Sequence, residues 1–179
     1  IDARNIFKTS DNYRNASINW DLSKKKLEKE LAKEQHDYYL TQGFIGSTIN
    51  NLTTTLGREG SDFSASVLAS LLNAKKLVFW KDFPGIMTSD PKRYEKAEKI
   101  DKLTYKELIE LTYYGAKVIH PKTIRPLLSK SIPLHVNSFY KPEENGTIIH
   151  DFKKVPELPP IIIRKENQIL LSLSPIDYS

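Results

Sequence analysis

The amino-acid sequence predicts an α/β fold in which a largely parallel sheet is flanked by helices. Two observations support this prediction. Helical patterns alternate along the chain with short apolar runs, an order typical of strands joined by helices. The run Leu77–Trp80 is continuously apolar, as in strands that are covered on both faces of a parallel sheet. Residues 62–73, just before it, repeat apolar side chains at helical spacing and predict an amphipathic helix.

The first third of the chain is predicted to be mostly irregular, with one helix and one strand. Residues 1–22 are polar and rich in turn-forming side chains. A helix is predicted over 23–37, where two leucines lie four residues apart on one face. The apolar run 38–45 is predicted to be a strand, and 50–60, rich in Thr, Asn and Gly, is predicted to be a loop. This order puts a loop directly before the helix 62–73.

Clear boundary signals mark the elements of the C-terminal half. Thr104 and Glu107 form the pattern of a capping box, which starts a helix that ends near Gly115. Pro121 permits a further helix to about Lys130. Two more strands are predicted at 133–139 and 146–149.

The sequence divides into one main unit and the start of another. Residues 1–150 contain the predicted helices and strands of the main unit. Residues 151–160 are predicted to be a linker, because three prolines fall within its last eight residues. Residues 161–179 begin a second unit, and 161–173 is predicted to be a strand. The first residue is Ile1 rather than Met, so we expect the chain to come from the middle of a longer protein.

The composition excludes several classes of protein. The chain has 179 residues, a net charge of +5 and no cysteine, which rules out disulfides and thiolate metal sites and fits a reducing compartment. No apolar run reaches the roughly 18 residues of a membrane span, and the histidines lack metal-binding spacing. Acidic and basic side chains alternate over 23–34, as on a solvated helix face. We therefore expect neither membrane insertion nor nucleic-acid binding.

The most informative motif is Thr53–Asp62, which joins a loop to the start of a helix. Free backbone N–H groups and the helix dipole at such a start favour an anion. Gly57 and Gly60 allow the backbone to approach a ligand closely, and Arg58 can bind a carboxylate through two hydrogen bonds. Asp62 would repel a bound anion unless it holds a cation, such as a lysine or a metal-bridged phosphate. The alternative is that Asp62, or the serine before it, merely caps the helix.

Two further segments carry lysines at positions suited to phosphate. Lys81 and Asp82 follow the strand Leu77–Trp80, and ligands of open α/β sheets bind beyond the carboxyl ends of the strands. Asp82 can accept a hydrogen bond from a ribose or a base, although it also fits a plain Asp-x-Pro-Gly turn. Lys117 follows a helix C-terminus, where it either binds phosphate or complements the helix dipole. His120 precedes a proline and is predicted to be structural.

Taken in order, these segments resemble the aspartate kinases of the amino-acid kinase family. The resemblance covers nearly all of residues 1–150. The stretches that carry it are Thr-Gln-Gly-Phe-Ile-Gly at 41–46, the motif 53–62, Asp-x-Pro-Gly at 82–85, Thr-Ser-Asp-Pro at 88–91 and Gly-Ala-Lys-Val-Ile-His-Pro at 115–121. The second and the last are specific, because kinases for acetylglutamate, uridylate or glutamate share the fold but lack this pair. The resemblance implies that 1–150 is the C-terminal, nucleotide-binding part of an amino-acid kinase domain and that 161–179 begins an ACT-like regulatory domain.

The resemblance also implies roles for individual residues. The implied substrate-binding residues are Phe44, Arg58, Glu59, Gly60 and Ser61. The implied ATP-binding residues are Lys81, Asp82, Met87, Lys92, Lys117 and Val118. Asp62 corresponds to the acid that orients a catalytic lysine, and Lys117 is the second implied catalytic residue. No residue is expected to bind a metal directly.

Three of the implied ATP-binding residues depart from the family pattern. Lys81 stands where Thr is usual, Met87 where Tyr is usual and Lys92 where Arg is usual. The two lysines still suit phosphate, although Lys92 loses the two-pronged geometry of arginine. Met87 can pack on an adenine or a ribose but offers no hydroxyl group.

The implied activity is transfer of a phosphoryl group from ATP, with Mg²⁺, to the side-chain carboxylate of L-aspartate. The product is 4-phospho-L-aspartate, and the step opens the biosynthesis of lysine, threonine and methionine. The family is cytoplasmic and forms homo-oligomers through its regulatory region, and the run 164–173 is closer to lysine-sensitive monofunctional enzymes than to dehydrogenase fusions. The phosphate-binding segment of the family's N-terminal third is not in this sequence. We therefore expect the 179-residue chain to be inactive by itself.

Two alternatives remain from the sequence. The first is another amino-acid kinase, of the acetylglutamate or glutamate type, although Arg58 with Ser61 and Asp62 argues against it. The second is a non-catalytic basic binding module, which the positive net charge leaves open.

Overall fold

The structure of the chain is a computed structural model that describes residues 1–116, 118–153 and 157–169. The helices are α1 (Ala3–Ile6), α2 (Trp20–Leu31), α3 (Gly60–Leu71), α4 (Tyr105–Tyr114) and α5 (Pro121–Leu128). The strands are β1 (Ile45–Ser47), β2 (Thr53–Thr55), β3 (Leu77–Lys81), β4 (Lys102–Leu103), β5 (Leu134–Ser138) and β6 (Thr147–Ile149). No helix among these residues is long and apolar enough to cross a membrane.

The main sheet has four strands in the order β3-β5-β6-β4. β3 runs parallel to β5, with Phe79 opposite Val136, and β4 runs parallel to β6. The central pairing, β5 with β6, is antiparallel. Gly146 permits this close pairing, because a Cβ atom there would collide with the Val136 carbonyl group. The predicted α/β fold with a largely parallel sheet is confirmed, although the sheet is mixed.

Helix α3 belongs to two apolar cores at once. One core covers the sheet and the helices α4 and α5, and the other holds α1 and α2 against the strands β1 and β2. Helix α3 contributes Ala69 to the first core, and Phe63 and Val67 to the second. Because buried side chains fix α3 from both sides, its N-terminus has a defined place between the two parts of the chain.

The helices α4 and α5 begin as their sequences predict. The Thr104 hydroxyl accepts a hydrogen bond from the Glu107 N–H, and the Glu107 carboxylate accepts one from the Thr104 N–H, which completes the capping box. Gly115 ends α4 with φ of 113°, a conformation that favours glycine. At α5, Nδ1 of His120 accepts a hydrogen bond from the Lys122 N–H at 3.1 Å. His120 therefore has the structural role that was predicted, as an N-cap.

Two predictions for the N-terminal part are wrong. Residues 38–44 form no strand, and β1 begins only at Ile45. The side chains of Tyr38 and Leu40 are 92% and 87% exposed, so the apolar run lacks the partner that would make it a strand. The segment predicted as a loop, 50–60, contains β2, because its β-branched threonines pair with β1 and bury Thr54.

Helix boundaries differ from the predicted ones where the cap was not readable. Helix α2 spans Trp20–Leu31 rather than 23–37, because the Asn19 side chain accepts a hydrogen bond from the Leu22 N–H and starts the helix earlier. Helix α3 spans Gly60–Leu71 rather than 62–73. Its N-cap is Glu59, whose side chain makes no capping hydrogen bond.

The C-terminal tail lies against the main unit without forming a strand. Residues 161–169 have no regular structure, and the remainder of the predicted strand, 170–173, falls outside the described residues. The Ile162 N–H donates to the Thr88 carbonyl at 2.8 Å, and the side chain of Ile161 packs on the sheet core. An isolated contact of this kind is not a strand ladder, which explains why the predicted strand is wrong over 161–169. The division of the chain at 150 and 160 stays a prediction.

Candidate active site

A cleft of about 450 Å³ opens at the N-terminus of α3. It lies beside the end of β3, where ligands of open α/β sheets bind. Its lining residues are Phe44, Glu59, Gly60, Ser61, Asp62, Lys81, Asp82, Phe83 and Val118. All of these except Phe83 are residues that the sequence predicted for substrate, nucleotide or catalysis. Four separate segments of the chain therefore meet in one place, as the prediction requires.

The backbone at the start of α3 leaves two N–H groups facing outward. Glu59 precedes the helix in the left-handed conformation, with φ of 52°, and the Gly60 N–H donates to the Gly57 carbonyl at 3.1 Å. The N–H groups of Ser61 and Asp62 meet no acceptor in the part of the chain that the structure describes. Together with the helix dipole, these two groups form a local positive potential suited to an anion.

Phe44 forms one wall of the cleft and is held by its own backbone. Its φ is 72°, and its N–H donates to Oγ of Ser64 at 3.1 Å. Its carbonyl accepts a hydrogen bond from the Leu56 N–H at 2.8 Å. Gly60 lies under the ring, because a Cβ atom there would come within 2.7 Å of Cδ2 of Phe44. The aromatic wall and the helix start thus fix each other.

Asp62 holds a lysine. Its Oδ2 atom lies 2.6 Å from Nζ of Lys81, and both side chains are about four-fifths buried, with exposed fractions of 20% and 23%. Nζ of Lys81 also lies 5.3 Å from the centre of the Phe79 ring. Of the two sequence interpretations of Asp62, this pair favours the cation partner over the helix cap. The ion pair links the first turn of α3 to the end of β3 across the floor of the cleft.

A second, larger cleft of about 1010 Å³ adjoins the first. Glu59, Phe83 and Val118 line both clefts, so the two form one continuous groove. Arg58 and Met87 line the larger cleft, and the exposed guanidinium group of Arg58 makes no hydrogen bond within the described ranges. The sequence predicted Arg58 for the substrate and Met87 for the nucleotide, and both roles stay predictions.

Arg93, for which the sequence predicted no role, faces the larger cleft, whereas Lys92 does not. Lys92 is exposed and lines neither cleft, and its N–H donates to the Asp90 side chain at 3.0 Å. Arg93 lines the larger cleft, and its guanidinium group lies 2.9 Å from Oε1 of Glu166 in the C-terminal tail. Adjacent residues in a turn point in different directions, and the sequence alone could not show which of the two basic side chains faces the groove. The predicted role of Lys92 in nucleotide binding stays a prediction.

Thr147 supports the loop that lines the larger cleft, a role that was not predicted from the sequence. Its buried hydroxyl group donates to the Ile100 carbonyl at 2.6 Å and accepts from the Ile86 N–H at 2.7 Å. Gly85, with φ of 146°, packs against this hydroxyl group. Thr147 therefore fixes the loop that carries Met87 into the larger cleft. Only the fold brings residues 61 positions apart into contact, so no local signal marks this role.

Lys117, the second predicted catalytic residue, lies outside the described residues. Its neighbours Ala116 and Val118 both line the larger cleft. The prediction for Lys117 therefore stands on the sequence.

The carboxylates of the groove suit Mg²⁺ that arrives with a nucleotide. In the described ranges no group of three His, Asp or Glu side chains could hold a metal ion. Mg²⁺ usually binds one or two protein carboxylates and takes its other ligands from substrate phosphates and water. Asp82 lines the smaller cleft, and no salt bridge engages it among the residues described. Glu59 lines both clefts and likewise has no salt bridge among the described residues, so one or two carboxylates are available for that mode of binding.

Comparison with known proteins agrees with this geometry. The sequence profile of the amino acid kinase family matches residues 1–138. The lysine-sensitive aspartokinase 3 of Escherichia coli (strain K12) is 36% identical over 174 residues, which are 97% of this chain and 39% of that protein. The aspartokinase of Chlamydia pneumoniae is 36% identical over 179 residues, all of this chain and 40% of that protein. The chain thus spans about two fifths of these relatives.

Solved structures give the same result. E. coli aspartokinase III in complex with lysine and aspartate, in the T-state, superposes with a TM-score of 0.79 at 35% identity, over 90% of this chain and 36% of that chain. The same enzyme in complex with aspartate and ADP, in the R-state, gives a TM-score of 0.77 at 35% identity, over 86% of this chain and 35% of that chain. With the profile match over most of its length, the chain belongs to the amino acid kinase family.

Proposed function

We propose that the chain forms the acceptor and nucleotide groove of an aspartate kinase, which transfers the γ-phosphoryl group of ATP to the side-chain carboxylate of L-aspartate. The observation that carries the proposal is the cleft at the N-terminus of α3, in which Phe44, Ser61 and Asp62 lie together. Lys81, which is paired with Asp62, lines the same cleft, and the larger cleft adjoins it. Two relatives that cover nearly the whole chain are aspartokinases, which supports the choice of acceptor.

The chemistry needs no general base. The side-chain carboxylate of aspartate has a reference pKa of about 3.9 and is ionised at neutral pH. One of its oxygen atoms attacks the γ-phosphorus, the bond from phosphorus to the β,γ-bridging oxygen breaks, and ADP leaves with that oxygen. The product is the acyl phosphate 4-phospho-L-aspartate. What the protein must supply is alignment of two anions and neutralisation of their charge.

The acceptor side supplies alignment. The outward N–H groups of Ser61 and Asp62 suit one carboxylate of aspartate, and the Arg58 guanidinium group can bind the other through two hydrogen bonds. The ring of Phe44 closes the cleft beside them.

The nucleotide side supplies positive charge. Lys81, held by Asp62, faces the groove and would contact the transferred phosphoryl group, and Lys117 would contact the remaining phosphates. Mg²⁺ bound to the phosphates of ATP supplies further neutralisation, and Asp82 is the carboxylate that would help to hold it. Met87, in the wall of the larger cleft, would pack on the adenosine.

The test uses a full-length protein that carries this segment, with ATP, Mg²⁺ and candidate acceptors. Acyl phosphates react with hydroxylamine to give hydroxamates, which form coloured complexes with ferric iron, so the acyl phosphate is read directly, and ADP release is read in a coupled assay. We expect turnover with L-aspartate at least about 100-fold above that with L-glutamate, N-acetyl-L-glutamate or UMP, since a shifted carboxylate loses its paired contacts. Preference for any of the other acceptors would replace aspartate in the proposal.

The 179-residue chain alone tests whether this segment is sufficient for turnover. The family resemblance implies a further phosphate-binding segment that this sequence does not contain. We therefore expect no turnover from the chain by itself. A rate of about 1 s⁻¹, within the usual range for enzymes, would instead show that the groove is sufficient.

The alternative from another class is a basic binding module, favoured by the net charge of +5. Such a module would bind nucleic acid with steep salt dependence and would show no preference for ATP with Mg²⁺. A gel-shift assay against duplex and single-stranded nucleic acid, beside a calorimetric titration with ATP, separates the two. We expect binding in the second experiment alone.

A further inference from the structure

Lys122 joins two parts of the groove that are far apart in sequence. It lies in the first turn of α5, two residues after His120, which lines the larger cleft. Its Nζ atom donates to the Leu56 carbonyl at 2.9 Å, across 66 positions of sequence, and lies 4.4 Å from the centre of the Phe63 ring. Neither the sequence motifs nor the proposed mechanism gives this lysine a role.

The Leu56 peptide group that Lys122 contacts is connected to both parts of the acceptor side. Leu56 is fully buried, and its N–H donates to the Phe44 carbonyl at 2.8 Å. The next residue, Gly57, has φ of 76°, and its carbonyl accepts the Gly60 N–H that opens α3. The lysine therefore holds the point from which the Phe44 wall and the loop with Arg58 both extend.

The position of Lys122 is unusual for a residue that only adds stability. A partly buried ammonium group loses hydration, and burial lowers the pKa of Lys122 from its ordinary value. Within the described residues no carboxylate forms a salt bridge with it, so a carbonyl dipole and an aromatic face are its compensation. By contrast, Lys130, just beyond the C-terminal end of the same helix, is exposed, and its ammonium group donates to the Asn73 side chain at 3.0 Å.

We propose that Lys122 is a positioning residue for the acceptor, which anchors the Leu56 carbonyl to α5 and so fixes Phe44 and the Arg58–Ser61 stretch against the nucleotide side. The proposal rests on the proposed function, because it names the carboxylate acceptor as the ligand whose binding Lys122 controls. Helix α5 itself remains held by its His120 cap and its buried face when the lysine is removed. The loop would move, and the nucleotide cleft would keep its shape.

The test replaces Lys122 in a full-length protein that carries this segment. Lys122→Met keeps a side chain of similar length but removes the ammonium group, so the donor to Leu56 and the cation contact with Phe63 are both lost. We expect the KM for L-aspartate to rise about 10- to 100-fold, within the range that corresponds to loss of one charge-assisted hydrogen bond, with the KM for ATP within about twofold. Lys122→Arg keeps a donor and an aromatic contact, and we expect it to recover most of the affinity.

The matched control is Lys130→Met, which removes an exposed lysine just past the other end of the same helix and should leave both KM values unchanged. Equal rises in the two KM values, or a lower melting temperature with both KM values intact, would overturn the proposal and leave Lys122 a purely structural role.

A second measurement does not depend on the identity of the substrate. Amide hydrogen exchange over 56–61 should be faster in Lys122→Met than in the wild type or in Lys130→Met. Unchanged exchange there would contradict the anchoring itself. If the wild type does not phosphorylate aspartate, the proposed function fails while the exchange result still decides whether Lys122 holds the loop.

Discussion

The acceptor side of the groove is held by hydrogen bonds to the backbone and by left-handed backbone geometry, whereas the nucleotide side ends in a loop with exposed charges. At the acceptor side, Phe44 and Glu59 adopt left-handed backbone conformations, and Ser64 and Leu56 bond to the Phe44 backbone. At the nucleotide side, the Arg93 side chain is 46% exposed and pairs with Glu166, which is 50% exposed.

The proposed function accounts for this difference by what each side would recognise. A small carboxylate offers few atoms, so its site needs donors whose positions are fixed before binding. A nucleotide offers a large surface and three phosphates, so exposed lysines and arginines with freedom to adjust are sufficient. If this comparison is right, changes on the acceptor side should cost far more than changes on the nucleotide loop.

The largest effect is expected at the ion pair that joins the two sides. Asp62→Asn should lower kcat by about 10²–10³-fold and change both KM values little, because it releases the Lys81 ammonium group that acts in the transition state. Steady-state kinetics of a full-length protein measure this. The control is Asp101→Asn, which removes an exposed partner of Lys99 and should not change kcat. Wild-type kcat with a lowered melting temperature would show that Asp62 serves only the helix.

The next effect tests the acceptor side alone. Arg58→Ala should raise the KM for L-aspartate by the equivalent of about 1.5–3 kcal/mol, because a two-pronged, charge-assisted contact is lost, and should leave the KM for ATP nearly unchanged. Arg125→Ala, at an exposed position of α5, is the matched control. An unchanged KM for aspartate would move Arg58 out of the acceptor site, and a raised KM for ATP would assign it to the larger cleft that it lines.

A third change tests the buried hydroxyl group of Thr147, which supports the nucleotide side. Thr147→Val leaves the Ile86 N–H and the Ile100 carbonyl without their partner, and should lower the free energy of unfolding by about 1–3 kcal/mol. Urea unfolding of the chain measures this loss. Thr147→Ser keeps the hydroxyl group and should lose much less. If Val and Ser are equally stable, the hydroxyl group is not what holds the loop.

The smallest effect is expected at the exposed contact between the nucleotide loop and the tail. Glu166→Gln removes the partner of Arg93 and should change stability by less than about 1 kcal/mol. Calorimetry should show ATP affinity within about threefold of the wild type, with any gain lost at high salt. A large loss of stability would mean that this side is as tightly built as the acceptor side, and the comparison would fail.

The sequence predicted those features that depend on local pattern. The capping box at Thr104 and the helix that starts at Pro121 rest on contacts within a few residues, and the structure has them. The strand predicted at Leu77–Trp80 is also present, but it lies at the edge of the sheet with Trp80 49% exposed, so the predicted cover on both faces is wrong. The predicted strand over 38–45 failed because an apolar run becomes a strand only when a partner is available.

Site residues were likewise predicted where a local motif contains them, and were missed where distant segments had to meet. The residues around the start of α3 were predicted because one motif contains most of them. The left-handed cap at Glu59, the support from Thr147 and the anchor at Lys122 were not, since each depends on chain segments that only the fold brings together. Which of the adjacent side chains of Lys92 and Arg93 lines the larger cleft depends on their directions, and a single sequence does not contain that information.

The left-handed backbone at Phe44 and Glu59 also bears on how such a sequence changes under selection. A side chain with a Cβ atom is strained there by about 1–2 kcal/mol, and glycine removes that strain. A population selected for heat resistance alone would therefore accumulate glycine at both positions. At position 44 the same substitution deletes the aromatic wall of the cleft. A sequence that keeps Phe44 therefore keeps the aromatic wall and gives up the stability that glycine would add at this position.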